Sequence, residues 1–407
     1  MIRFFMLLLI STLLFGAKVE NFRWKNGETY LVFLQKNNLP TRELYYNLDK
    51  TDQQQTEEIL SGVHSQILRG DDGKIQQVLV PLNDELQIHI YKKGTHYYFE
   101  EIPIISETKI KTLTLKIKYS PYIDILRATK SHKLAKIFIS SFKHSLNFKS
   151  GIRKDDTLAM IYEQKYRLGK SFSMPTLKVA MIELRGKRHF IYLNSDDRYY
   201  DEKGSQVEEF LLIRPVRGGR ISSYFTKRRW HPILHKYRAH LGIDYAVPRG
   251  TPIRAAADGV ITRRGRSSSY GNIIYIRHAD GYSTRYAHQK SFRRGQYVGK
   301  HVKRGQVIGY VGTTGHSTGP HLHFELRKYG VAINPLKVVQ VTTKKLRGRK
   351  RKKFLRLKKR YNRAIEKQIK NGTSYEREID FPSVCYFNNQ ILKKIKSNGQ
   401  DRFHNRP

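Results

Sequence analysis

Cysteine is almost absent: Cys385 is the only one in 407 residues. No intramolecular disulfide can form, a cysteine-based zinc site is excluded, and no cysteine follows the N-terminal apolar segment to carry a lipid. Acidic residues are scarce too, 34 against 77 lysines and arginines, which leaves a formal charge of +43. Such a balance implies a polyanionic partner: nucleic acid, an anionic membrane face or an acidic polymer. Long apolar runs are also lacking. The longest, Phe4 to Phe15, is short for a membrane span. With Arg3 before it and small Gly16 and Ala17 after it, residues 1–17 have the layout of a secretory signal. Phe15 sits where a cleavage site prefers a small residue, so a retained membrane anchor is the alternative. Export argues against nucleic acid as the partner and places the chain in the periplasm.

What is present suffices for packed cores. Apolar residues make up 39% of the chain and aromatics 12%, and 407 residues predict two to four domains. Residues 18–105 read as a small α+β domain, with helices over 28–36 and 53–60 and strands over 76–80, 86–91 and 97–102. Residues 106–208 read as a second α+β domain, with a strand at 112–119, two short helices in 123–146 and strands at 157–164, 177–184 and 190–193. Over 212–340 the texture changes to short β runs separated by glycine turns every eight to twelve residues, the pattern of a sandwich. From Lys344 to the end the chain is a basic tail. Within it Phe354, Leu357, Tyr361, Ala364 and Ile365 fall at helical spacing. The fold class expected is multidomain α+β with a C-terminal β-sandwich.

Three clusters in 212–340 carry chemistry: His240–Asp244, Tyr286-Ala287-His288, and His316 through Glu325. Each alone is weak, since 16 histidines yield a His-x-His pair by chance roughly 0.6 times. Geometry is more informative. Residues i and i+2 of a strand share a face about 7 Å apart, so His321 and His323 project into one groove while Leu322 points inward. That spacing favours one metal ligand plus one neighbour over the substrate. His240 and Asp244 lie about 13 Å apart on a flat strand, so the chain must curl between them, most easily at Gly242. Two imidazoles and a carboxylate leave a fourth position open, as catalytic zinc sites do.

The residues Arg220-Ile221-Ser222-Ser223, His240-x-x-x-Asp244, Gly250-Thr251-Pro252, Tyr270-Gly271-Asn272, Tyr286-Ala287-His288 and Gly319-Pro320-His321-Leu322-His323-Phe324-Glu325 form an ordered series over some 120 residues. This series resembles the LytM/lysostaphin-type zinc metallopeptidases of bacterial cell walls. The resemblance implies one Zn2+ per chain held by His240, Asp244 and His323. It also implies His321 as general base, with His288 stabilising the oxyanion or orienting the attacking water. Glu325 could be a partner of the ligand His323 or could solvate the core edge. The upstream stretches Lys92-Lys93-Gly94-Thr95 and Lys154-Asp155-Asp156-Thr157 look like periplasmic, helical-cell-shape members of the same family. That implies a peptidoglycan D,D-endopeptidase cleaving D-alanine to meso-diaminopimelate cross-links, with D,D-carboxypeptidase action on the same bond type. The competing class is a regulator that keeps the zinc but never cuts.

Residues 212–340 hold 24 Lys or Arg against four Asp or Glu, a balance of about +20 that would steer the chain to the acidic sacculus. The basic tail is read either as docking on the upstream domains or as binding an anionic surface. The chain is expected to act as a monomer. Nearly 200 residues precede the catalytic region, and latency imposed by the first domain is a reasonable use for them. Asp49, Asp52, Glu57, Glu58, Asp71 and Asp72 are the candidate carboxylates for plugging the open zinc position.

Overall fold

The structure is a computed structural model. It describes residues 18–375 apart from 144, 145, 147, 168, 208–211, 232–234 and 339–344. The expected signal, Cys385 and the tail beyond 375 lie outside the described residues. No helix among the described residues is long and apolar enough to cross a membrane.

The first sheet is an antiparallel meander of β1 (Lys18–Arg23), β2 (His64–Arg69), β3 (Ile75–Pro81), β4 (Leu86–Lys93) and β5 (His96–Pro103), in that order. The β3–β4 turn closes because Asn83 Oδ1 accepts from the backbone N–H of Glu85 and Leu86 at 2.7 and 3.0 Å. Helix α1 (Tyr30–Lys36) is capped by the Thr29 hydroxyl and buries Tyr30, Phe33 and Leu34. Helix α2 covers Lys50–Thr56 rather than 53–60, because the Asp49 carboxylate accepts from the N–H groups of Thr51 and Asp52 and starts the helix there.

The second sheet follows the order β10-β9-β8-β7-β6. Its strands are β6 (Glu107–Lys116), β7 (Thr157–Arg167), β8 (Lys170–Leu184), β9 (Lys187–Leu193) and β10 (Tyr199–Asp201). Between β6 and β7 lie α3 (Pro121–Thr129), α4 (His132–Phe142) and a single turn, α5 (Phe148–Gly151). Helices α3 and α4 start at Ser120 and Ser131, whose hydroxyls cap them, and they cover one face of the sheet. The other face is covered by the basic helix α6 (Gly348–Lys370). Phe354 and Ile365 are buried against Tyr192, Tyr200 and Val179. The Tyr192 hydroxyl donates to Asn362 Oδ1 at 2.6 Å, and Arg188 pairs with Glu366 at 2.6 Å. Of the two readings of the tail, docking is the one this helix adopts.

The third unit contains β11 (Arg220–Ser223), β12 (Thr226–His231), β13 (Lys236–His240), β14 (Ile243–Ala246), β15 (Pro252–Arg254), β16 (Gly259–Ser267), β17 (Gly271–Arg277), β18 (Tyr282–Phe292), β19 (His301–Val302), β20 (Val307–Val311), β21 (His321–Lys328) and β22 (Val331–Ile333). One ladder runs β11-β14-β21-β18-β17-β16-β19, with β15, β20 and β22 attached. Ile243, Ile253, Ile274, Tyr286, Ile308 and Phe324 from both parts of it close on a common core, as the layers of a sandwich do. The β12–β13 hairpin stands apart from that ladder. Its strand β13 packs beside β4 and β5, and Ala239 and Leu241 join the core of the first domain around Leu44 and Trp24. The segment that ends on His240 is thus supported by the first domain.

The packing of α6 yields an expected outcome. Phe354→Ala should destabilise the second domain by about 3–5 kcal/mol, whereas its neighbour Leu355→Ala, on the exposed face, should change stability by less than about 0.5 kcal/mol. Urea unfolding of both variants measures the difference.

Candidate metal centre and active site

The centre is assembled by register. In the β14–β21 pair Asp244 lies opposite His323, and in the β18–β21 pair Ala287 does. The next residue on β18, His288, has a φ of 56° and brings its ring beside those of His321 and His323. β13 ends at His240 and β14 begins at Ile243, which is the curl expected at Gly242. A Cβ on Gly242 would lie 2.7 Å from both His323 Cε1 and the Phe324 carbonyl oxygen. Only glycine lets the curl approach β21 so closely.

His240, Asp244 and His323 each offer one ligand atom, and these atoms all lie within 4.8 Å of one another. His240 Nδ1 donates to the Tyr224 carbonyl at 2.9 Å, which turns its Nε2 toward Asp244 Oδ2 at 3.2 Å. His323 has the opposite orientation. Its Nε2 donates to Glu325 Oε1 at 3.3 Å, and Nδ1 faces Asp244 Oδ1 at 2.8 Å. Burial opposes charge on His323, but the hydrogen bonds to Asp244 and Glu325 outweigh it and raise its pKa to about 10. Burial also raises the pKa of Asp244, yet the two imidazoles hold its carboxyl far below the usual carboxylate range. A carboxylate flanked by two ring nitrogens is a site that demands a shared cation. Two imidazole nitrogens and one carboxylate oxygen fit zinc with a position left open. Of the two readings the sequence left open for Glu325, the structure has it fully buried and hydrogen-bonded to His323, the place of a residue that orients a ligand imidazole.

His288 and His321 border the same space. Their rings are 4.7 Å apart, and His288 is 6.0 Å from His323. His321 Nε2 stops 3.9 Å from Asp244 Oδ1, so it stands beside the trio, as the strand spacing predicts. His288 Nδ1 donates to the Thr314 carbonyl and His321 Nδ1 to the Gly319 carbonyl, each at 2.8 Å. Burial, reinforced by His323 and His321, lowers the pKa of His288 to about 3, so it is neutral with a bare Nε2.

The first domain covers this region. Lys236 Nζ pairs with Asp49 Oδ2 at 2.8 Å, and Arg238 with Asp52 Oδ1 at 3.1 Å. Burial raises the Asp49 pKa, but its bonds to Lys236, the Asp52 backbone and Arg238 bring it down to about 2. The Gln55 amide donates to the Ala239 carbonyl at 2.9 Å, and the Lys50 carbonyl accepts from His316 Nδ1 at 2.8 Å. Glu57 accepts from the hydroxyls of Ser267 and Ser268 at 2.8 and 2.9 Å. Glu58 is held by Tyr270, Arg285 and Arg327. Asp72 closes its own turn by accepting from the Lys74 N–H. None of the six candidate carboxylates belongs to the trio of His240, Asp244 and His323. Four of them bind the catalytic domain around it instead, because basic and hydroxyl partners there satisfy them first. Sequence reasoning assigned no role to Tyr270, Arg285 and Arg327, although the alternation His321-x-His323-x-Glu325-x-Arg327 was available as a signal.

A fold of this kind carrying such a trio defines a metallopeptidase class, and the comparisons agree. The profile of Peptidase family M23 matches residues 238–335, and the Csd3 N-terminal profile matches residues 21–104. The crystal structure of Helicobacter pylori Csd3 is similar with a TM-score of 0.79 and 40% identity, over 87% of this chain and 96% of that one. The chain belongs to peptidase family M23, with the Csd3-type N-terminal domain. Among curated relatives, DD-carboxypeptidase/endopeptidase Mpg of Neisseria meningitidis is 43% identical over 206 residues, covering 47% of this chain and 46% of Mpg. Peptidoglycan DD-endopeptidase ShyC of Vibrio cholerae is 35% identical over 215 residues, covering 53% and 49%. The chain thus spans about half the length of the curated relatives it matches.

Two measurements check the centre. His240→Ala, Asp244→Ala and His323→Ala should each lose zinc by elemental analysis, and Glu325→Gln should weaken zinc affinity about 10–100-fold. Because metal-free His323 stays protonated up to about pH 10, zinc must displace that proton. Affinity should therefore rise about tenfold per pH unit from pH 7 to 9, with one proton released into the buffer during titration calorimetry.

Proposed function

We propose that the chain is a zinc-dependent peptidoglycan D,D-endopeptidase of the periplasm. In this reading it cleaves D-alanine to meso-diaminopimelate cross-links during wall remodelling and cell shaping, with D,D-carboxypeptidase action on the same bond type. The observation that carries this is the convergence of His240 Nε2, Asp244 and His323 Nδ1 beside two further histidines whose Nδ1 atoms are tied to carbonyls. A regulator that only held zinc would need neither His288 nor His321.

A zinc ion in the trio would lower the pKa of a bound water toward 7 and polarise the scissile carbonyl. The protein supplies the proton handling. Nε2 of His321 accepts a proton from the attacking water and returns it to the leaving amine. Neutral His288 has no proton on Nε2, so it cannot donate to an oxyanion in this state. It accepts a hydrogen bond from the water and aims it. Of the two roles the resemblance offered for His288, this geometry supports the orienting one.

The same reading includes export by residues 1–17, either as a cleaved signal or as a retained anchor at the membrane. It has the acidic sacculus as partner, no nucleic acid, and a monomer as the acting unit. It also includes latency: the first domain sits over the site through α2 and residues 57–58 and would have to move for a peptide strand to enter.

His321→Ala and His288→Ala should retain zinc and lose about 10² or more in turnover, read by mass analysis of products from digested sacculi. Near-normal turnover in either would remove its role. Residues 206–340 expressed alone should be at least tenfold more active per molecule than the mature full chain on the same sacculi. Equal activity would end the latency reading.

A further inference from the structure

Glu58 is a carboxylate from the first domain buried inside the catalytic domain. It is 2% exposed, and every hydrogen bond the structure gives its side chain comes from the catalytic domain. Arg285 approaches its two oxygens at 3.1 and 3.5 Å, Arg327 pairs with Oε2, and the Tyr270 hydroxyl meets Oε1. Burying a carboxylate is costly unless the receiving pocket is already built for one. This pocket is built from three strand positions: Tyr270 just before β17, Arg285 on β18 and Arg327 on β21.

The pocket carries more positive charge than its own domain neutralises. Glu325 accepts from Arg327 Nε at 2.9 Å, lies 3.3 Å from Arg285, and also takes the Tyr270 hydroxyl at 2.7 Å. One carboxylate therefore serves two guanidiniums, and Glu58 provides the second. Tyr270 has a single proton for two carboxylates, so its hydroxyl answers whichever of them is nearer. With Glu58 withdrawn, Arg327 would keep Glu325 and the Gly330 carbonyl at 3.1 Å but lose the partner of Nη2, and Arg285 Nη1 would keep only Glu325. Two guanidinium N–H groups would then be left pointing at one place, an arrangement suited to a carboxylate.

The position is as informative as the charge. His321, His323, Glu325 and Arg327 alternate along β21 and share one face. The pocket begins at Glu325, about 7 Å from His323, which is the span of two extended residues. Under the proposed function, the peptide lying over this face carries free carboxylates within that reach of the bond to be cut.

We infer that Tyr270, Arg285 and Arg327 form a carboxylate-binding subsite for the stem peptide, and that Glu58 fills it in cis as a substitute for substrate. The first domain then leaves when a substrate carboxylate takes the place of Glu58, so occupancy of the subsite and opening of the groove are one event. This deepens the proposed function and rests on it for the identity of the ligand, but it is tested without turnover.

The test uses the full chain with Glu58→Ala, kept metal-free by a chelator so that nothing is cut. Acetate should raise its melting temperature relative to acetamide at equal ionic strength. The wild type should show no such difference, and neither should Glu58→Ala carrying Arg327→Gln. A cross-linked muropeptide dimer with free peptide carboxylates should bind the Glu58→Ala chain at least tenfold more tightly than the same dimer with those carboxylates amidated. Should Glu58→Ala fail to fold, Glu58→Gln keeps the shape without the charge and is expected to show the same preference. Equal binding of free and amidated dimers, or no acetate effect in a folded variant, would overturn the subsite. Failure of the catalytic reading shows separately, as intact sacculi after digestion with a variant that still prefers the free dimer.

Discussion

The site depends on one carboxylate held between two ring nitrogens. Asp244 meets His240 Nε2 and His323 Nδ1 because each ring gives its other nitrogen to an acceptor, the Tyr224 carbonyl for one and Glu325 for the other. Those outer partners fix which nitrogen faces inward, and without them the rings could turn away. The backbone sets the rest. Antiparallel register places Asp244 across from His323, and a glycine at 242 lets the chain curl against the His323 ring. A cation resolves the electrostatic problem thus created, while a metal-free chain must hold an extra proton on His323.

The same residues that order the centre also hold the first domain. Lys236 and Arg238 lie on the strand that ends at His240 and pair with Asp49 and Asp52. Glu325 orients His323 and shares Arg285, Arg327 and Tyr270 with Glu58. Buried ion pairs add little net stability, but breaking one by removing a single partner is costly. A network with members from both domains therefore makes their separation depend on what replaces the lost partner.

Much of this was legible in the sequence because it is local. The periods of two in 76–80 and 86–91, the hairpin turns, and the helical spacing of Phe354 to Ile365 all specify elements from near neighbours. That His240, Asp244, His288, His321 and His323 gather in one place was legible through their types and their order. The orientation of each imidazole was not, since it is set by carbonyls of Tyr224, Thr314 and Gly319, and a carbonyl belongs to every residue alike. The start of α2 was misplaced by three residues because the Asp49 cap outweighed the polar run that follows it. The destination of the acidic residues was misjudged for a similar reason. A buried carboxylate goes to its nearest donors, and Glu58 finds two arginines that are distant from it in sequence. The choice of α6 between docking and an anionic surface needed the complementary face of the second sheet, which only the fold supplies.

Zinc K-edge X-ray absorption on the zinc-loaded full chain tests the central claim most directly. The account predicts two imidazoles and oxygen donors at about 2.0–2.2 Å. A shell of three or four imidazoles would place His288 or His321 on the metal and contradict it.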